Sequence, residues 1–118
     1  MAQEATAAAR IAPTNSVAEL ARFFPEATPV RIPVQLARSA RQSGASPFNE
    51  STVIEFGTPR EVLFACATPV EFADVLRLRN ADGSLDAEAS VVAVQYHPGK
   101  TVIAARFLKE VPNWIVKP

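Results

Sequence analysis

The sequence has few of the residues on which most enzyme and metal chemistry depends. Its 118 residues include one cysteine and one histidine, which excludes an internal disulfide framework and a multi-cysteine zinc site. It contains no glycine-rich phosphate loop, and no Ser/His/Asp set occurs in a suitable context. We therefore expect a protein that is not an enzyme and that holds neither a metal nor a cofactor.

An excess of charge of one sign is also missing. Twelve Lys and Arg residues balance twelve Asp and Glu residues, so the formal net charge is zero. Nucleic-acid-binding proteins usually carry a clear positive excess, and this balance argues against one. No run approaches the about 18 apolar residues of a membrane span, and the first residues lack a signal-peptide pattern. We expect a cytoplasmic protein that does not insert into a membrane.

Glycine is scarce and proline is abundant, with four glycines against ten prolines spread along the chain. Because proline donates no hydrogen bond to a helix or a strand ladder, this spread favours short elements. The length suits one domain with a modest core. A small β fold is therefore the expected class.

Residues 1–28 are predicted to form a flexible arm and a short helix. Met1 to Thr14 lack an apolar period, so they cannot bury enough surface to become ordered. Ser16 and Glu19 match a capping box, and Pro25 ends the helix. We predict that the helix lies on the surface of its own domain, with an amphipathic docking helix as the alternative. Its apolar face consists of Val17, Leu20, Ala21 and Phe24.

Residues 29–118 are predicted to form an all-β domain. Six segments show strand patterns, and short turns join them, which indicates an antiparallel sheet closed into a small barrel or folded as a sandwich. We predict the six-stranded barrel, because closure removes exposed strand edges. In the second segment, Ile54 and Phe56 are placed on one face. The first half of the fifth segment is expected to extend beyond the neighbouring strands. The segments are 30–37, 51–56, 61–67, 74–79, 85–96 and 101–108.

Three single residues carry separate expectations. Trp114, the only tryptophan, is predicted to close one end of the barrel. Cys66 lies in the most apolar strand and is expected to be a buried small hydrophobe, because a reactive thiolate needs an electropositive and partly open setting. His97, in a tight turn, is expected to be an exposed turn residue.

Arginines around the first strand are candidate anion ligands. Arg31, Arg38 and Arg41 occur in the first strand and the polar turn after it. A guanidinium fork clamps a phosphate or stacks on a base, so these side chains suit an anionic ligand. The competing interpretation is that these are ordinary arginines scattered over the protein surface.

Several strings resemble the PilZ domain, the six-stranded barrel of bacterial cyclic di-GMP receptors. Arg31-Ile32-Pro33-Val34 resembles the segment that opens that barrel. Thr52 to Phe64 is similar to its second and third strands, and Val91 to Leu108 resembles its last hairpin. Pro112-Asn113-Trp114 is similar to an exit segment of divergent members. The resemblance covers about residues 30–116 and implies a cyclic di-GMP signalling protein.

The PilZ resemblance also implies two ligand motifs, and neither is intact. The first, R-x-x-x-R, has no match, because no two arginines stand four apart; Arg31 or Arg22 replaces one member at most. The second, [D/N]-x-S-x-x-G, falls between the second and third strands. There Thr58 keeps a hydroxyl, whereas Glu61 puts a negative charge where glycine lets the backbone approach a phosphate. Arg60 is a candidate for partial compensation.

We therefore predict a PilZ-like signalling domain with degenerate ligand motifs, which acts as an adaptor or protein-interaction module with weak or no cyclic di-GMP binding. One alternative is a genuine receptor that uses non-standard arginines. Another is a small barrel that binds single-stranded nucleic acid, which would need exposed aromatic residues among basic ones. The sequence specifies neither the partner nor the oligomeric state. The candidate ligand-binding residues are Arg31, Thr58, Arg60, Arg38 and Arg41.

Overall fold

Six antiparallel strands close into a barrel in the computed structural model, which describes residues 17–39, 48–112 and 114–117. Numbered β1 to β6 along the chain, they pair in the order β1-β2-β3-β6-β5-β4, and β4 pairs back onto β1. The predicted small all-β barrel is confirmed. The bounds are Thr28–Arg38, Asn49–Gly57, Glu61–Cys66, Val75–Arg79, Asp86–His97 and Lys100–Phe107.

Alternating apolar residues fill the barrel interior. In β1, the alternating residues Val30, Ile32, Val34 and Leu36 all contact the interior cluster, and β6 contributes Ile103 and Ala105. Full burial of a Val, Leu, Ile or Phe side chain stabilises a fold by about 1.5–3 kcal/mol. This interior is therefore the main source of stability. Its largest fully buried side chains include Phe64, Leu36, Ile54, Leu76, Leu78 and Ile103.

A short helix covers part of the outer surface of the barrel. Residues 17–21 are helical, and Val17 and Leu20 pack against Leu63, Val102 and Ala104 on β3 and β6. This arrangement confirms the prediction of a helix on the surface of its own domain. It also explains why β3 is apolar on both faces. The predicted arm and the capping serine at position 16 lie outside the described residues.

Two details of the strand predictions are wrong. A register shift between Ile54 and Phe56 interrupts the pairing of β2 with β3. Because such a bulge turns the following side chain to the other face, Ile54 enters the interior, whereas Phe56 joins the outer cluster beneath the helix. The first half of β5 does not extend beyond its neighbours, since residues 86–90 pair along the whole of β4. Its polar side chains belong to the outer face of a paired strand.

The carboxylate of Glu50 in β2 holds the connection that follows β3. It accepts hydrogen bonds from the backbone N–H groups of Ala67 and Thr68 and from the Thr68 hydroxyl, the last at 2.8 Å. Burial alone would raise the pKa of Glu50, but these hydrogen bonds outweigh burial, and the pKa lies below its ordinary value. The ionised carboxylate is thus part of the folded structure.

This lowered pKa makes the contribution of Glu50 to stability depend on pH. Its ionised form favours the folded state above the pKa of the unfolded chain, and the contribution is lost as pH falls through the folded value. We expect Glu50→Gln to be less stable than wild type at neutral pH. The difference in the free energy of unfolding between the two proteins is expected to narrow in acid. Urea unfolding at pH values from about 3 to 7, followed by tryptophan fluorescence, measures this difference.

The matched control is Glu55→Gln on the same strand. Its carboxylate makes no hydrogen bond within the described part of the chain, so this substitution is expected to change the free energy of unfolding little. If the difference in the free energy of unfolding between Glu50→Gln and wild type stayed constant or widened in acid, the ionised Glu50 carboxylate would not be stabilising the fold.

Candidate functional site

The turn between β2 and β3, residues 58–60, is the position to which the second PilZ motif corresponds. Thr58 is 2% exposed, and its N–H donates to the carbonyl of Glu61 at 2.9 Å. Its hydroxyl oxygen accepts the N–H groups of Arg60 and Glu61 at 3.1 and 2.8 Å, and the hydroxyl donates to the Glu61 carboxylate. A hydroxyl has one donor and two acceptor positions. All three are occupied inside the turn.

The Glu61 carboxylate is paired across the sheet with Arg106. Glu61 lies opposite Arg106 in the pairing of β3 with β6, and Oε2 accepts from Nε and Nη2 of Arg106 at 3.0 and 2.7 Å. The Glu61 side chain is 12% exposed, whereas that of Arg106 is 55% exposed. The negative charge that the sequence places at this motif position is therefore offset by a neighbouring cation, and it fastens the turn to β6.

Trp114 closes the barrel at this turn, as predicted from its size. It is 3% exposed, and its indole N–H donates to the carbonyl of Thr58 at 2.7 Å. Its ring meets Phe107 edge to face, with centroids 5.3 Å apart. A Cβ added at Gly57 would lie 2.5 Å from the Trp114 ring, so a residue without a side chain is required there. The end of β2, the 58–60 turn and the segment that contains Trp114 thus hold one another in position.

The two exposed candidate arginines line different pockets. Arg31 lies on the outer side of β1 in a shallow pocket with Val53, Glu55 and Lys100. Arg60 lies in the turn and borders a separate groove formed with the segment after β6. Neither arginine makes an ion pair within the described residues. The structure does not bring them together around one ligand.

Arg38 is engaged in a contact within the fold. Its guanidinium forms a largely buried ion pair with Asp74 at 3.1 Å and lies 5.1 Å from the centre of the Phe48 ring. Asp74 also accepts the N–H of Glu71, so the pair fixes the connection before β4. Arg38 lies at the far end of β1 from Arg31, about 23 Å away along an extended strand. Arg41, the remaining candidate, lies outside the described residues.

A groove that was not predicted from the sequence lies beside the turn and has a volume of about 660 Å³. We call it the C-terminal groove. Arg60 and Arg106 line one side, while Lys109 and Lys117 come from the segment after β6. Glu110 is the one acidic residue among the lining residues, and Arg106 is also paired with Glu61. One indication of this basic groove was present in the sequence. Two of the three lysines of the chain follow β6, in a segment without strand periodicity.

The single cysteine and the single histidine lie away from this groove. Cys66 is buried, as predicted, and burial together with the charge of Glu50 raises the pKa of its thiol to about 12. The prediction for His97 is wrong, because His97 is the last residue of β5, pairs with Lys100 across the 98–99 turn and is partly buried. Its Nε2 atom has no hydrogen-bond partner in the described part of the chain.

The described residues 17–39, 48–112 and 114–117 contain no metal-binding cluster and no membrane-spanning helix. No group of three or more His, Cys, Asp or Glu side chains in these ranges is placed to hold a metal ion. None of the helical residues there form a segment with the length and apolar character that crossing a bilayer requires.

Comparison with known proteins adds no further assignment. No protein-family model matches the chain, and no curated protein is significantly similar to it. The fold and the site define a small closed six-stranded barrel with a tryptophan-closed end and a basic groove beside it. The PilZ resemblance therefore stays a prediction.

Proposed function

We propose that this chain is a divergent PilZ-like signalling domain that acts as a non-enzymatic cytoplasmic adaptor for protein partners, with weak or no cyclic di-GMP binding. The closed six-stranded barrel is the architecture that the resemblance implies. One observation carries the proposal: the polar groups at the second motif position already bind one another, Thr58 to Glu61 and Glu61 to Arg106. A ligand would have to displace these contacts.

Simple energetics support weak nucleotide binding. A micromolar complex has a binding free energy of roughly 8 kcal/mol. Each charge-assisted hydrogen bond contributes about 1.5–3 kcal/mol. Arg31 and Arg60 line different pockets, and Arg38 is paired with Asp74. Among these three, Arg60 alone borders the turn, which leaves too few strong contacts for a micromolar receptor.

Isothermal titration calorimetry with cyclic di-GMP tests this proposal. We expect a dissociation constant weaker than about 100 µM, which corresponds to a binding free energy below about 5.5 kcal/mol. Micromolar or tighter binding would overturn the degenerate-site proposal. In that event Arg31→Ala and Arg60→Ala distinguish the receptor alternative, because a receptor that uses either arginine loses affinity when it is removed.

The nucleic-acid alternative finds no supporting feature among the described residues. The exposed aromatic side chains are Phe23, Phe72 and Tyr96, which lie at the end of the helix, before β4 and in β5. Stacking on single strands needs aromatic groups lined up along one basic surface. The C-terminal groove is basic, but its aromatic residues, Phe107 and Trp114, are occupied in packing against each other.

A further inference from the structure

We infer that the C-terminal groove binds an acidic peptide segment of a protein partner that carries at least one large apolar side chain; this inference rests on the proposed adaptor function. The groove presents several apolar side chains beside several cations. No described segment of the chain fills it. Its charge, its apolar side chains and the state of its donors together define the occupant.

The floor of the groove is apolar and rigid. Phe107, Val111, Trp114 and Val116 are among the residues that line the groove, which has a volume of about 660 Å³. The partly buried Phe107, Val111 and Val116 present most of this apolar surface, because Trp114 is 3% exposed. The Trp114 ring is fixed by its bond to the Thr58 carbonyl and by its edge-to-face contact with Phe107. Recognition sites gain most from apolar anchors that enter well-formed pockets, because little ordering is needed on binding. The floor suits an apolar anchor residue.

The rim of the groove is basic in a chain whose net charge is zero. Four cations and one carboxylate line it, and one of these cations, Arg106, is already paired with Glu61. Arg60 and Lys109 are exposed and make no ion pair within the described residues. Complementary rim charges attract a partner and select its sign. An acidic partner segment matches this rim.

The donors that a tight phosphate site would need are already bonded. Phosphate recognition uses converging guanidinium forks or free backbone N–H groups. Arg106 holds Glu61, and the N–H groups of Arg60 and Glu61 bind the Thr58 hydroxyl. The Lys117 ammonium donates to the carbonyl of Pro112 at 3.1 Å. Separate cations on long stems suit the spaced carboxylates of a peptide better than one compact phosphate.

The opposite side of segment 108–112 limits where such a peptide lies. A second pocket there is lined by Asp86, Glu88 and Glu110 together with Arg77 and Lys109. Arg77 is already held by Asp86 through two hydrogen bonds of 2.8 Å. Because like charges oppose docking, the acidic segment is confined to the side of Arg60.

Fluorescence anisotropy of a labelled peptide tests the inference on the full chain. The test peptide carries spaced glutamates around a central leucine and phenylalanine, and its reference has glutamine in place of glutamate. We expect the acidic peptide to bind with a dissociation constant on the order of 10–100 µM, weakening as salt is added. The glutamine peptide is expected to bind at least about tenfold more weakly.

Two charge-reversal variants locate the binding. Arg60→Glu with Lys109→Glu is expected to weaken binding of the acidic peptide at least about tenfold. Arg22→Glu with Arg79→Glu removes the same net charge from exposed positions outside the groove and is expected to change affinity less than about twofold. Equal losses in the two double variants, or no binding to wild type, would overturn the inference.

Titrating the same protein samples with cyclic di-GMP and with the peptide distinguishes a failure of this inference from a failure of the proposed function. Cyclic di-GMP that binds at micromolar concentration contradicts the degenerate-site part of the proposed function, whether or not the peptide binds. If neither cyclic di-GMP nor the acidic peptide binds, the inference is wrong and the adaptor proposal is unaffected. A single-stranded oligonucleotide that binds more tightly than the peptide, and is lost in the Arg60 and Lys109 variant, replaces the peptide as the occupant.

Discussion

Replacing Trp114 with alanine is expected to lower the free energy of unfolding by about 3–5 kcal/mol. The side chain is 3% exposed, packs on Gly57 and Phe107, and donates a hydrogen bond to the Thr58 carbonyl. Its loss would leave a large cavity at the end of the barrel. Domains of this kind are stable by about 5–15 kcal/mol in total, so the effect is large. Urea unfolding followed by far-ultraviolet circular dichroism measures it.

The neighbouring Ile115→Ala variant is the control for Trp114. Ile115 is 62% exposed, and its truncation is expected to change the free energy of unfolding by about 0.5 kcal/mol or less. Trp114→Phe keeps an aromatic ring but removes the indole N–H and part of the volume, so we expect an intermediate loss. A Trp114→Ala variant within about 1 kcal/mol of wild type would show that the tail does not close the barrel.

Replacing Thr58 with valine is expected to cost about 2–3 kcal/mol of stability, because it leaves buried polar groups without partners. The Thr58 hydroxyl accepts the N–H groups of Arg60 and Glu61 and donates to the Glu61 carboxylate. Valine has the shape of threonine but none of these bonds. Thermal or urea unfolding monitored by the fluorescence of Trp114 reports the change.

Two comparisons isolate the role of the Thr58 hydroxyl. Thr58→Ser retains the hydroxyl and is expected to cost less than the valine variant. Thr28→Val changes an exposed threonine at the start of β1 and is expected to alter stability by about 0.5 kcal/mol or less. If Thr58→Val were as stable as wild type, the hydroxyl would not be holding the turn and would be available to a ligand.

The barrel could be predicted because most of its signals are local. The alternation from Val30 to Leu36 and from Val102 to Phe107 marks strand faces within a few residues. The bulge that separates Ile54 from Phe56 could not be predicted this way. It depends on how β2 meets β3, and a sequence pattern read along one strand carries no information about its neighbour.

The candidate site was predictable only where its parts are close in sequence. Thr58 and Glu61 were assigned to one short motif, and they do meet within one turn. Arg106 follows Glu61 by 45 residues, and the two meet because β3 and β6 are neighbouring strands in the barrel. Lys109 and Lys117 reach the groove for the same reason. Charge partners of this kind follow from strand order, which the sequence pattern does not encode.

Nuclear magnetic resonance titration of the isotope-labelled chain with cyclic di-GMP tests the central claim most directly. That claim is that the β2–β3 turn is closed by its own contacts and does not receive the nucleotide. The backbone amide signals of Thr58, Arg60 and Glu61, and the indole signal of Trp114, are expected to stay in place as the nucleotide is added. Progressive, saturable movement of these four signals would contradict the claim.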